Sequence, residues 1–293
     1  MNAIELEGLT KFYGKSRGIS DLSLTVGDGD FFGFIGPNGA GKSTTIRTLL
    51  GLIKKSGGSA KIFGKEISDN KNSILSDVGY LPSEAIFYRG MRVKEIIKMS
   101  ADLRKSDCKN EAKNLCERLE LDTEKKVDEL SFGNRKKVAI VCALQHNPRL
   151  CILDEPTGGL DPLMQREFFS ILKERNAKGA TVFLSSHILS EIQRNCTEAA
   201  IIREGKLIAC GSVEALSQTN AKRIHIQGNA DLSELSNIRD INQTENSISF
   251  LYGGDINLLL QVLSKQHIDD LSVSEPNLEE IFMHYYTDGG KAQ

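Results

Sequence analysis

The sequence predicts an α/β domain on a mainly parallel sheet, followed by a small α+β module. Three features point there. Short apolar runs alternate with helical periods through the first 215 residues, and several of those runs are apolar throughout, as strands covered on both faces are. The charge balance then changes sign: after residue 215 there are five basic side chains against eleven acidic ones, in a whole chain of 37 against 39.

In order, strands are expected over Ala3–Leu9, Ser23–Val26, Phe31–Ile35, Ser59–Ile62, Val78–Leu81, Leu150–Leu153, Thr181–Ser185 and Ala199–Arg203. Helices are expected over Lys42–Gly51, Arg92–Leu103, Lys109–Leu119, Arg135–His146, Pro162–Asn176 and Ile188–Asn195. No convincing strand interrupts residues 90–130, so a helical subdomain is expected over about 90–145 of a 1–215 domain. Residues 216–293 read as an accessory domain. Its strands are expected at Arg223–Gln227, Ser247–Tyr252 and Ile268–Val273, and its helices at Ile256–Lys265 and Asn277–Tyr286.

Composition narrows the classes. With 40% hydrophobic and 26% charged residues over 293 positions, a disordered or fibrous chain is excluded. The longest apolar run, Val138–Leu144, is far below the roughly 18 residues of a membrane-spanning helix. The start, MNAIELEGLT, has no basic stretch leading into an apolar core, so no secretory signal is expected there. The six cysteines form no CxxC pair and no metal-ligand spacing, which favours reduced thiols.

The strongest chemical signal follows the run Phe31–Ile35. Gly36, Pro37, Asn38, Gly39, Ala40, Gly41, Lys42 and Ser43 fit GxxxxGK[ST], with Thr44 next in line. Glycines let backbone N–H groups curl around phosphate oxygens, and a helix opening at Lys42 aims its positive end at the same anion. Lys42 is expected on the outer phosphates and the Ser43 hydroxyl on Mg²⁺. A second apolar strand ends in Asp154 and Glu155. Asp154 is placed to hold Mg²⁺ and Glu155 to polarise the attacking water. His187 ends a third strand. In a parallel sheet these ends share one rim, where open α/β proteins bind ligands, so His187 is expected at the γ-phosphate.

Between the two nucleotide motifs lies Leu130-Ser131-Phe132-Gly133-Asn134, which resembles the LSGGQ signature of the nucleotide-binding subunits of ATP-binding cassette (ABC) transporters. Gly158-Gly159-Leu160-Asp161-Pro162 resembles that family's D-loop, His187 its switch histidine, and Tyr13 the aromatic that stacks on adenine. The resemblance covers about residues 1–215 and implies an ABC-type P-loop NTPase fold binding ATP and Mg²⁺. It also implies a dimer, in which Ser131, Gly133 and Asn134 of one subunit close over the nucleotide of the other. Asp161 belongs to the D-loop of that interface. The second subunit is either a copy of this chain or a paralogue.

The pattern has departures. Phe132 stands where the signature has glycine, and Asn134 where it has glutamine. The glutamine that usually follows the strand ending at Leu81 falls on Ser83, or on Glu84 if the loop is one residue longer; either is a candidate metal ligand. The basic run Arg135-Lys136-Lys137 is a solvated helix face or a nucleotide contact. Residues Ile86 to Met91 form either a groove for a membrane partner or a seam closing the helical insertion. The ending Ser274 to Phe282 resembles ATPase subunits of bacterial antibiotic-resistance exporters. The resemblance therefore implies an ATPase that drives a separately encoded membrane permease for export, cytoplasmic and peripheral at the inner face of the cell membrane, without nucleic acid. The rival, a soluble ABC ATPase of translation or DNA repair, fits a chain with one phosphate loop and a short insertion poorly.

Overall fold

In the computed structural model, which describes residues 1–14, 16–217, 221–228 and 230–274, the continuous apolar runs form the middle of a six-stranded sheet. The chain splits into two units, Met1–Val213 and Glu214–Gln293.

The first unit opens with β1 (Asn2–Tyr13), β2 (Ser16–Gly27), β3 (Phe31–Ile35), α1 (Lys42–Leu49), β4 (Gly57–Ile62), β5 (Lys65–Glu66), α2 (Ile67–Ser76) and β6 (Val78–Leu81). A helical segment follows, with α3 (Val93–Arg104), α4 (Lys109–Arg118), a 3-10 turn at Val127–Glu129 and α5 (Phe132–Leu144). Then come β7 (Leu150–Asp154), α6 (Pro162–Ala177), β8 (Thr181–Ser186), α7 (Leu189–Asn195), β9 (Glu198–Arg203) and β10 (Lys206–Ser212).

The central sheet runs β10-β9-β3-β8-β7-β6, with every neighbour parallel except the edge hairpin of β9 and β10. Every residue of β3, β7 and β8 is buried, which is why these strands read as unbroken apolar runs rather than alternating ones. A second, antiparallel sheet, β2-β1-β4-β5, supplies Ile4, Leu6 and Leu9 to the core. These pack with Ile46 and Leu49 of α1 and with Phe32, Phe34 and Phe183 of the central sheet. Phe183 stacks on Phe32 at 5.8 Å between ring centroids and lies tilted against Phe34 at 5.4 Å.

The helical segment is tied to α6 by two arginines. Arg118 on α4 meets Glu167 at 2.5 Å and Glu174 at 2.7 Å, and these partners hold its guanidinium charged well above the ordinary arginine range. Arg175 on α6 reaches back to Glu111 at 2.5 Å. In the second unit, α8 (Val213–Ser217) leads to β11 (Lys222–Gln227), β12 (Ile238–Gln243), β13 (Ser247–Tyr252), α9 (Ile256–Leu263) and β14 (Asp270–Ser274). The strands order as β12-β13-β11-β14, all antiparallel, with Leu259, Val262 and Leu263 of α9 packed in their core. The helix expected over Asn277–Tyr286, and most of the exporter-like ending, lie outside the described residues.

Several elements differ from the sequence expectation. Helix α5 begins at Phe132 rather than Arg135, because Ser131 caps it: the Ser131 hydroxyl accepts a hydrogen bond from the Asn134 N–H. The hairpin to β10 was not anticipated, although its Glu204-Gly205 turn has positive φ at both positions, the signature of a tight two-residue connection. Helix α2 and strand β12 were also missed; β12 buries too little to show a period.

Phe183→Ala removes a fully buried ring at the meeting point of both sheets and should cost about 3–5 kcal/mol. Urea unfolding of the first unit, followed by a probe within it, checks this; a cost below about 1 kcal/mol would contradict the packing described.

Candidate active site

The parallel registers bring four strand ends level. Ile35 pairs with Ser186, Asp154 with Ser185, and Leu81 with Leu153. The segments leaving β3, β6, β7 and β8 therefore open on one rim, and each carries a residue singled out above.

After β3 the chain turns through Gly39 at φ 80° and Gly41 at φ 110°, a region that glycine enters without strain. Gly41 is the N-cap of α1 and has no side chain to satisfy the leading N–H groups, nor is any acidic residue present in the first turn. The N-terminus of α1 is thus left for an external anion. The Lys42 ammonium, nearly buried, donates to the carbonyls of Gly36 at 2.6 Å and Pro37 at 3.3 Å and lies 3.1 Å from Glu155 Oε1. A cavity of about 320 Å³ over this loop is lined by Tyr13, Gly18, Pro37, Asn38, Gly39, Gly41, Lys42, Ser43, Thr44, Ser83 and Glu155.

Asp154 is wholly buried. The Ser185 hydroxyl donates to its Oδ1 at 2.6 Å, while Oδ2 has no hydrogen-bond partner. A buried carboxylate oxygen left open fits a cation position, and with Ser43 on the loop it gives the sparse oxygen set that Mg²⁺ takes alongside phosphates and waters. Glu155 sits at φ 48°, unusual for a side-chain-bearing residue, with its N–H donating to the Ser185 carbonyl at 3.1 Å. Its carboxylate bridges two side chains: Oε1 faces Lys42 and Oε2 lies 2.7 Å from His187 Nδ1.

Ser83 lines the cavity, whereas Glu84 is exposed and does not. Serine therefore stands where the loop after β6 meets the site. Ser131 is exposed and committed to capping α5; neither it, Gly133 nor Asn134 lines the cavity of its own chain. A Cβ at Gly133 would sit 2.3 Å from the Gly159 carbonyl, and the Phe132 ring covers Gly159. The off-pattern phenylalanine thus packs the signature onto the D-loop. Asp161 caps α6, its Oδ1 accepting from the N–H groups of Leu163 and Met164 at 3.0 Å; the bond from Met164 foremost holds its carboxyl below the usual range.

The basic run after the signature corrects the sequence reading. Lys136 is neither solvated nor a lining residue of the cavity. The residue is 1% exposed, and its ammonium donates to the carbonyls of Pro82 at 3.0 Å, Ser83 at 2.8 Å and Glu155 at 3.0 Å. Burial pulls its pKa down to about 8, against the opposing pull of Asp154 and Glu155. Lys137 is buried as well. Three consecutive basic residues on a helix give no sign of which one turns inward; the three converging carbonyls do. Among the described residues no three His, Cys, Asp or Glu side chains gather as a metal cage. Burial raises the thiols of Cys116, Cys142, Cys151 and Cys196, which keeps them protonated.

A glycine loop feeding an uncapped helix, a lysine within it and two carboxylates at the end of β7, one strand beyond β8 in the same sheet, define a P-loop nucleoside triphosphatase. Residues 19–158 match the family described as ABC transporter. The chain is 36% identical to the bacitracin transport ATP-binding protein BcrA of Bacillus licheniformis, over 96% of each chain. It is 29% identical to the linearmycin resistance ATP-binding protein LnrL of Bacillus subtilis, over 96% of this chain and 97% of that one. Among solved structures, an ATP-binding subunit of an ABC transporter superposes with a TM-score of 0.70 at 30% identity, over 73% of this chain and 91% of that one. The chain belongs to the ABC transporter family, as an ATP-binding subunit with ATPase activity.

Lys42→Ala removes the one ammonium placed on the loop and should weaken ATP binding at least tenfold, since charge-assisted phosphate contacts are each worth about 1.5–3 kcal/mol. Isothermal titration with ATP checks this; unchanged affinity would remove Lys42 from the site.

Proposed function

We propose that this chain is the motor of an export complex: two ATPase subunits close on ATP and drive a separately encoded membrane permease. The observation that carries the reading is the separation of the signature from its own phosphate loop. Ser131 is exposed at the start of α5, Gly133 and Asn134 are half-buried beside it, and none of the three lines the cavity over the phosphate loop of its own chain. A two-fold pair would bring each signature over the other's nucleotide.

In this reading the loop N–H groups, Lys42 and Thr44 bind the phosphates, and Tyr13, half-exposed at the cavity edge, stacks on adenine. Ser43 and Asp154, with Ser83 nearby, would hold Mg²⁺, which when bound neutralises phosphate charge. Glu155 orients the attacking water and accepts its proton; His187 holds the second carboxylate oxygen and faces the γ-phosphate. Ser131 and the N–H groups at the start of α5 stabilise the γ-phosphate across the interface. Hydrolysis removes those contacts and lets the pair reopen.

The permease contact is assigned to the loop after β6 and the outer face of α3. Ile86, Tyr88 and Leu103 are 83%, 72% and 79% exposed, apolar side chains open to a partner. None of the described helices is long and apolar enough to cross a membrane. In this reading a partner supplies the pathway and the subunit works in the cytoplasm, peripheral at the inner membrane face. The relatives named for bacitracin transport and linearmycin resistance support a transport role over one on nucleic acid.

Glu155→Gln should keep ATP binding, lose turnover by about a hundredfold or more, and accumulate an ATP-bound dimer by size-exclusion chromatography with light scattering. Turnover at the unaltered rate would overturn the role of Glu155. Affinity-tagged chain should co-purify with an integral membrane protein after detergent extraction; recovery solely with ribosomes or DNA would overturn the transporter reading.

A further inference from the structure

Glu155 holds an uncommon backbone conformation. A glutamate at φ 48° is strained and persists only where its surroundings over-determine it. Its N–H is fixed by the Ser185 carbonyl, and its own carbonyl by Lys136 Nζ at 3.0 Å. That same ammonium holds Pro82 and Ser83 in the loop after β6. Lys136 lies in the second turn of α5, the helix that begins with the signature. One buried charge therefore joins three segments: the signature helix, the loop between the sheet and the helical segment, and the residue bearing the catalytic carboxylate.

The loop after β6 gives this link added weight. Ser83 lines the cavity, and its backbone carbonyl accepts from Lys136 at 2.8 Å. That backbone is what Lys136 grips. We propose that Lys136 is a positioning residue of the hydrolysis site, tying the helical segment to the Glu155 backbone so that the direction of the Glu155 carboxylate follows the position of that segment. The proposal rests on the reading of Glu155 as the group that activates water.

Two consequences separate this role from simple stabilisation. Lys136 touches no residue of the phosphate loop among its hydrogen bonds, so nucleotide affinity should be indifferent to it. A glutamine at the same place keeps two N–H donors for the carbonyls, whereas methionine, of similar length, keeps none.

The test compares full-length K136M and K136Q with the unaltered chain, by steady-state ATPase rates and by ADP titration. Expected is a fall in kcat of about tenfold or more for K136M, since a buried carbonyl left unpaired costs about 1–3 kcal/mol. KM for ATP and the ADP dissociation constant should stay within about twofold, and K136Q should recover at least a third of the lost rate on a logarithmic scale. Three results overturn the proposal: kcat unchanged in K136M, ADP affinity lost in proportion to rate in either variant, or K136Q no better than K136M. Should K136M fail to fold, K136Q alone decides: intact ADP affinity with a rate between one half and one tenth of the original supports it, and any other pair of values overturns it. Failure of the Glu155 reading shows separately, as full turnover in E155Q.

Discussion

The arrangement on which the rest of the site depends is the approach of Lys42 to Glu155 across the rim of the central sheet. Each is anchored by its own strand, and the 3.1 Å between them follows from the level registers of β3, β8 and β7. The pair is partly shielded, Lys42 nearly buried and Glu155 21% exposed, so the attraction is stronger than between surface charges. The lysine is held by two loop carbonyls and this carboxylate. We propose that phosphate competes for the same ammonium and frees Glu155 toward the water it would activate, so that binding and catalysis are linked by competition for one group.

Around that pair the fold divides its labour. The central sheet sets where the strand ends lie, and the buried phenylalanines of β3 and β8 keep the strands in place. The helical segment is joined to the rest of the first unit in two ways: Val138, Ile140, Val141 and Leu144 of α5 are wholly buried, and charged contacts to α6 and the Lys136 ammonium add polar links.

How much of this was legible in the sequence depended on whether a residue's task is local. The loop Gly36–Ser43, the pair Asp154-Glu155 and His187 could be found because each follows a continuous apolar strand, and strand, turn and function sit within a few positions. Ser83 could be separated from Glu84 only once the cavity showed which of them faces it. Phe132 looked like a defect in a glycine motif and proves to be the ring that covers Gly159. Lys136 was hidden among three consecutive basic residues, since its partners come from positions 82, 83 and 155 and no local pattern encodes such a meeting. Strand β12 buries little and so left no period to read.

The most direct measurement of the central claim is ADP affinity in the unaltered chain and in E155Q. ADP is chosen because it lacks the γ-phosphate that would close a dimer. If Glu155 competes with phosphate for Lys42, neutralising that carboxylate frees the ammonium, and E155Q binds ADP several-fold more tightly at low ionic strength, with the gain shrinking as salt rises. Equal or weaker ADP binding by E155Q would contradict the account.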